Sequence, residues 1–304
     1  MEEVKWTEAA IPGRPTLTFV PKSFVQAHGV REKATVDVAK FVDASLDAGL
    51  STSAPPTTPA AATVHPVTVA AGDVDGDGVD DLFMSVWSPE ERRPVLHLYR
   101  VRAGFLREAP QSGGIALPSG ASFASFTDVD NDGWLDLFAI GGDGRGYLFR
   151  NAGNGTFTDL SAKAGIADVR GARRALFVDL DHDGDLDLLL VGPNGRTVFR
   201  NNLDGTFTES SAAYGIAATT PSSDATFADF DGDGHIDVYV GGATGSGALL
   251  RNGGAQRFTD ATSASGLAGA GAASTVASAD YDNDGAADLF LGGTATAGPS
   301  LWRN

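Results

Sequence analysis

Apolar and polar positions along this chain fall into a unit that repeats. From residue 66 onward, short apolar runs such as Leu82-Phe83-Met84, or Leu186 to Val191 closed by Gly-Pro, each follow a stretch dense in aspartate. Runs of that length with those boundaries read as buried strands. A second apolar word closes on Arg-Asn, as in Tyr147-Leu148-Phe149-Arg150-Asn151, Val198-Phe199-Arg200-Asn201, Leu250-Arg251-Asn252 and Leu301-Trp302-Arg303-Asn304. A third follows as Thr156-Phe157-Thr158-Asp159, Thr206-Phe207-Thr208-Glu209 and Arg257-Phe258-Thr259-Asp260. The spacing predicts four strands per unit: A runs into the aspartate stretch, B leaves it, C ends in Arg-Asn, and D carries the Thr-Phe-Thr word.

The aspartate stretches begin at Asp73, Asp128, Asp179, Asp229 and Asp280, giving periods of 55, 51, 50 and 51 residues. A period near fifty with four short strands is the signature of a β-propeller blade. The expected fold is therefore all-β, a single propeller domain over 1–304 with five clear four-stranded blades at 66–304 and a sixth possible. The last unit lacks a D strand, and Val4-Lys5-Trp6-Thr7-Glu8-Ala9 matches the missing word, so residues 1–9 are expected to close the last blade and remove its free edge. From Trp6 to the first loop is 67 residues, against 22 from Phe157, Phe207 or Phe258 to the loop that follows each. The surplus at 10–65 is either a degenerate sixth blade, with strands at Leu17-Thr18-Phe19-Val20 and Ala34-Thr35-Val36, or a helical insertion. The helix is favoured: over Glu32 to Leu50, positions Ala34, Val38, Phe41, Val42 and Leu46 share one face and Gly49 suits a C-cap, with a linker at 51–62.

The aspartate stretches share the pattern D-x-D-x-D-G-x-x-D, whose spacing suits a hard cation taking six to eight oxygen ligands. The expected ligands are Asp73, Asp75, Asp77, Val79 and Asp81; Asp128, Asp130, Asp132, Trp134 and Asp136; Asp179, Asp181, Asp183, Asp185 and Asp187; Asp229, Asp231, Asp233, His235 and Asp237; and Asp280, Asp282, Asp284, Ala286 and Asp288. Position seven of each loop (Val79, Trp134, Asp185, His235, Ala286) offers its backbone carbonyl. Position four is Gly76, Asn131, His182, Gly232 or Asn283, mostly types that tolerate a left-handed backbone. Position two is apolar every time, which anchors each loop to a core. An EF-hand needs a glutamate at position twelve, and here that position is Met84, Ala139, Leu190, Val240 or Leu291. About five structural Ca2+ ions follow, one per loop.

The net charge of −17 and pI near 4.5 argue against nucleic acid as a partner. Five divalent cations would bring that charge to about −7. There is no cysteine, no apolar run long enough to span a bilayer, and no visible secretory signal in the acidic opening Met1-Glu2-Glu3. The protein is expected to be a monomer.

Together these words resemble the FG-GAP/VCBS repeat family, the calcium-loop propellers of integrin α-subunits, fungal lectins and secreted bacterial proteins. The string Phe149 to Ile166 looks especially like the cartilage-acidic-protein branch. The resemblance covers about residues 66–304 plus the first nine. It implies a calcium-stabilised propeller at the cell surface or outside the cell, although a cytoplasmic location stays open.

In such a fold the A–B and C–D turns share one face, and the B–C and D–A connections share the other, where a carbohydrate or protein ligand is expected. Candidates there are Trp87, Arg92, Arg93, Arg145, Arg173, Arg174, Arg196 and Tyr214, with His28, Arg31 and Lys33 from the 10–65 stretch. Trp87 with flanking arginines can stack on a sugar ring or grip an acidic group. The arginine of each Arg-Asn word recurs with the blade, which favours a surface ion pair over a ligand contact. No nucleophile elbow, phosphate loop or HExxH motif occurs. Catalytic residues stay unassigned, with a lyase or cyclase on the open face, or a purely adhesive surface protein, as alternatives to a binding module.

Overall fold

A computed structural model describes residues 68–304 apart from 217–218, 255–256 and 296–297. Among the described residues the strands form five antiparallel sheets, four of four strands and one of three. The first holds β1 (Thr68–Gly72), β2 (Asp81–Ser88), β3 (Arg93–Arg102) and β4 (Phe105–Glu108). The second holds β5 (Ala121–Thr127), β6 (Asp136–Gly141), β7 (Gly146–Asn151) and β8 (Phe157–Asp159). The third holds β9 (Arg174–Val178), β10 (Asp187–Gly192), β11 (Gly195–Asn201) and β12 (Phe207–Glu209), and the fourth β13 (Ser222–Ala228), β14 (Asp237–Gly242), β15 (Ala248–Asn252) and β16 (Phe258–Asp260). The fifth holds β17 (Val276–Ala279), β18 (Asp288–Leu291) and β19 (Ser300–Trp302). In every sheet the strands pair in sequence order, so four are A-B-C-D meanders as the word pattern predicts and the fifth is A-B-C among the described residues.

Strand B explains the continuous apolar runs. Every residue of β6, β10 and β14 is buried, because each of these strands is covered on both faces. Successive sheets bury one shared core apiece. Phe83, Leu98, Leu137 and Phe149 pack between the first and second, Phe138, Ile166 and Leu188 between the second and third. Leu180, Leu189, Tyr214 and Val238 pack between the third and fourth, Tyr239 and Leu289 between the fourth and fifth. Each such side chain contributes about 1.5–3 kcal/mol by leaving water. Phe290, at the position of Tyr239 one repeat earlier, is 45% exposed, since it lies on the last sheet's outward face.

A small polar device repeats where strand D ends. Ser161, Ser211 and Thr262 accept the backbone N–H of Leu148, Val198 and Leu249 on strand C. The hydroxyls of Ser161 and Thr262 in turn donate to Asp159 and Asp260, each at 2.5 Å. The short D strands are thereby fixed to strand C by a side chain as well as by the ladder.

The expected closing strand at 1–9 and the helix or sixth blade at 10–65 lie outside the described residues. Among the described residues no helix is long and apolar enough to cross a membrane.

Candidate functional site

Each aspartate loop is the hairpin connection from strand A to strand B. Its last aspartate opens strand B opposite the end of strand A, with pairs Gly72 and Asp81, Thr127 and Asp136, Val178 and Asp187, Ala228 and Asp237, and Ala279 and Asp288. The first aspartate closes the turn. Asp73 accepts the N–H groups of Gly76 at 2.8 Å, Asp77 at 3.1 Å and Gly78 at 2.7 Å, Asp229 does the same in its loop, and Asp128, Asp179 and Asp280 accept those of positions five and six. Positions four and six both adopt positive φ in all five loops, from Asn131 at 55° to Gly184 at 94°. Position two is buried at Val74, Val129 and Leu180, and Phe230 packs partly into the core between the fourth and fifth sheets. Tyr281 departs from the expected anchoring at 51% exposure, since no described sheet lies beyond its own.

The last aspartate of each loop is buried and held by two backbone donors. Asp136 accepts Val129 N–H from its own loop at 3.3 Å and Asn151 N–H from strand C at 2.8 Å. The side chain of that same asparagine donates to the carbonyl of Val74 in the preceding loop at 2.8 Å. Asn201 links Asp187 to Val129, Asn252 links Asp237 to Leu180, and Asn304 links Asp288 to Phe230. Position two of each loop returns its own N–H to that loop's last aspartate. One line of hydrogen bonds therefore runs through all five loops. Burial pushes the carboxyls of Asp136 and Asp187 up to about 7, despite the backbone donors that pull them down. Asp81 and Asp237 are raised for the same reason.

Carboxylate oxygens converge in every loop. Those of positions one, three and nine lie within 4.8 Å of one another in the first, second, fourth and fifth loops, and those of Asp179, Asp181 and Asp183 do so in the third. Of the expected side-chain ligands, position five thus joins the cluster only in the third loop. In every loop an oxygen of position five caps the N–H of position seven, as Asp132 does for Trp134 at 2.9 Å. Arginines brace the outside. Arg150 reaches Asp130 at 2.8 Å and Asp132 at 3.0 Å, Arg303 reaches Asp282 and Asp284 at 2.7 and 2.8 Å, and Arg251 and Arg102 span the same two positions of their loops. The recurrent arginine is thus an ion-pair partner of its own loop at Arg150, Arg251 and Arg303, whereas Arg200 makes no such pair with a described residue.

The arginines take the outer oxygen of position three and leave the inner one. The Oδ1 atoms of Asp75, Asp130 and Asp181 are buried and have no hydrogen-bond partner among the described residues. A buried carboxylate oxygen without a donor is costly, and a cation at the cluster removes that cost. The donors are all oxygens, as calcium prefers, so the residues fit it.

The candidate ligand residues sort into two groups. Trp87, Arg92, Arg93, Arg145, Arg173 and Arg174 lie at the strand ends remote from the loops: Trp87 near the end of β2 opposite Asp81, Arg174 paired with Val191 at the far end of β10. Arg93 pairs with Glu91, Arg145 lies 3.4 Å from Asp143, and Arg174 lies 3.9 Å from Asp224. Two assignments are corrected. Tyr214 is 3% exposed, with its ring in the core and its hydroxyl donating to Asp181 at 2.9 Å while lying 3.3 Å from Asp187, so it belongs to the third loop. Arg196 turns inward and donates Nε to the carbonyl of Ile216 at 2.7 Å, which makes it a brace. Sequence reasoning passed over Tyr147, which lines a cleft of about 320 Å³ with Arg145, Asp159 and Ser161. Its signal is departure from the repeat, since the matching positions are Thr197 and Ala248. A second hollow, of about 230 Å³, lies between the fourth and fifth sheets against Phe230, Leu249, Leu289 and Trp302. Ser265 stands there at the position Tyr214 fills one repeat earlier.

A family model described as FG-GAP-like repeat matches three overlapping stretches, residues 128–190, 179–240 and 229–291. Cartilage acidic protein 1 of Homo sapiens is 30% identical over 91 residues, which are 30% of this chain and 14% of that protein. The protein of the same name from Xenopus tropicalis is 32% identical over 68 residues, 22% of this chain and 10% of that one. The chain thus matches only a small part of these relatives' length. Among solved structures, an Agrocybe aegerita lectin that recognises non-reducing terminal N-acetylglucosamine aligns at TM-score 0.45 and 17% identity, over 75% of this chain and 60% of the lectin. The V. cholerae biofilm matrix protein Bap1 aligns at TM-score 0.40 and 15% identity, over 74% of this chain and 34% of that protein.

Proposed function

The chain belongs to the FG-GAP-like repeat family, and from that premise we propose that it is a calcium-stabilised β-propeller acting as a binding module. The observation that carries the proposal is the set of inner carboxylate oxygens at Asp75, Asp130 and Asp181, buried without a donor beside converging aspartates. About five Ca2+ ions, one per loop, would be held chiefly by positions one, three and nine, or one, three and five in the third loop. The metal supplies positive charge that ties strand A to strand B. It performs no reaction step. We place the module outside the cell or at its surface, where calcium is abundant enough to fill even loops of about millimolar affinity.

The ligand is a carbohydrate or a protein, held at the strand ends remote from the loops. The cleft at Tyr147 supports the carbohydrate form of this reading: an aromatic ring for stacking, Arg145 as donor and Asp159 as acceptor, on strands fixed by packing. A glycan array probed with the wild type and with the Arg145→Ala/Tyr147→Ala double variant tests it. The expected result is calcium-dependent retention of a glycan by the wild type, at least tenfold weaker in the variant, with melting unchanged. Equal retention by both excludes this cleft.

A further inference from the structure

We propose that the five loops are unequal and that the third, Asp179 to Asp187, binds calcium most tightly. The inference rests on the calcium reading above and ranks the sites within it. In the other four loops an arginine of the same sheet spans positions three and five. That guanidinium already neutralises part of the charge a divalent cation seeks, and it repels the cation at close range. Arg200, at the matching position of the third sheet, makes no ion pair with a described residue and points its charge into solvent. The outer oxygen of Asp181 is held instead by the neutral hydroxyl of Tyr214.

The third loop also carries more usable charge. Its position seven is Asp185, held at 3.0 Å by the Asn131 amide of the preceding loop, so five carboxylates stand in one turn. The first loop has a fifth aspartate too, Asp80, but it is exposed, and Arg102 and Arg100 both face Asp75 there. Affinity at oxygen sites follows the number of charged ligands and the rigidity of the site. Tyr214 adds rigidity, because its ring is fixed in the core against Phe258 while its hydroxyl touches two aspartates of the loop. Asp181, fixed by Tyr214, thus forms a preset side of the site that no other loop has.

Calorimetric titration of the chelator-stripped full chain with calcium chloride tests the ranking. The wild type is expected to show two classes, about one ion at least tenfold tighter than the rest, a gap of about 1.4 kcal/mol. Asp181→Asn should delete the tight class and spare the others, while Asp130→Asn should spare the tight class. Arg150→Gln should move a second ion toward the tight class. If Asp181→Asn fails to fold, Asp185→Asn, a change at a half-buried position of the same turn, should weaken the tight ion alone. A single class of equal sites, or a tight class that survives both third-loop variants, overturns the ranking and leaves the calcium reading standing. No binding at all overturns both.

Discussion

The side-chain amide of Asn201 donates to the carbonyl of Val129, 72 residues upstream, at 2.7 Å. Its backbone N–H meanwhile donates to the buried carboxylate of Asp187 at 2.9 Å. One residue thereby holds its own loop and the loop before it, and the same arrangement recurs at Asn151, Asn252 and Asn304. Asn201→Ala leaves the carbonyls of Val129 and Leu186 and the N–H of Leu203 without their partner. It should cost about 2–4 kcal/mol of stability, read as a lowered midpoint in urea with an unchanged slope. A loss below about 0.5 kcal/mol, the scale of an ordinary surface change, would show that the asparagine is not a link.

Position six requires glycine for its backbone rather than for space. Gly133 sits at φ +88° and nothing lies within 4 Å of where a Cβ would stand. Gly133→Ala should therefore destabilise by about 1–2 kcal/mol through conformation alone, and Gly133→Asn by less, since asparagine tolerates the left-handed region. Chemical denaturation of the two variants separates these. Equal losses would point to a contact instead.

Stability should depend on pH in opposite senses with and without calcium. Asp136 and Asp187 sit near 7 in the ion-free fold and near about 3.9 in an unfolded chain. Between those values the folded state holds protons the unfolded state has released, so ion-free stability is full below about pH 4 and declines as pH rises through about 7. Calcium needs the ionised carboxylate and expels the proton, so its stabilisation grows across the same window. Melting from pH 5 to 8 in chelator should fall, and the gap to the calcium form should widen. A chelated protein that melts higher at pH 8 than at pH 5 contradicts the assignment.

The hydroxyl clamp at the end of strand D is a separate source of stability. Ser211→Ala removes the acceptor for Val198 N–H, a buried donor, and should cost about 1–3 kcal/mol. Ser211→Thr, which reproduces Thr262 of the next repeat, should retain most of it. Calorimetric melting of both variants decides. Equal destabilisation by the two would mean that packing, not the hydroxyl, matters at this position.

The repeat, its strand order and the aspartate turns were legible because each is written several times at one spacing. Recurrence also points to Arg150, Arg200, Arg251 and Arg303 as partners within the blade, which holds for all but Arg200. Tyr214 was misplaced because a single tyrosine after strand D has the same sequence signature whether its ring enters the core or faces solvent. Arg196 failed for the same reason, its carbonyl partner being 20 residues away in sequence. The double role of Asn151, Asn201, Asn252 and Asn304 was hidden because half of it lies one repeat upstream, and a turn-forming asparagine accounts for the local pattern equally well. Ser161, Ser211 and Thr262 recur faithfully, but short hydroxyl residues are common enough that recurrence alone did not single them out.

The central claim is that the aspartate turns are calcium sites on which the fold depends. Equilibrium dialysis of the chelator-stripped chain against millimolar calcium, with melting recorded on the same samples, tests it most directly. The account predicts about five ions per chain and a melting temperature that climbs with free calcium. Fewer than one ion per chain with an unchanged melt would contradict it.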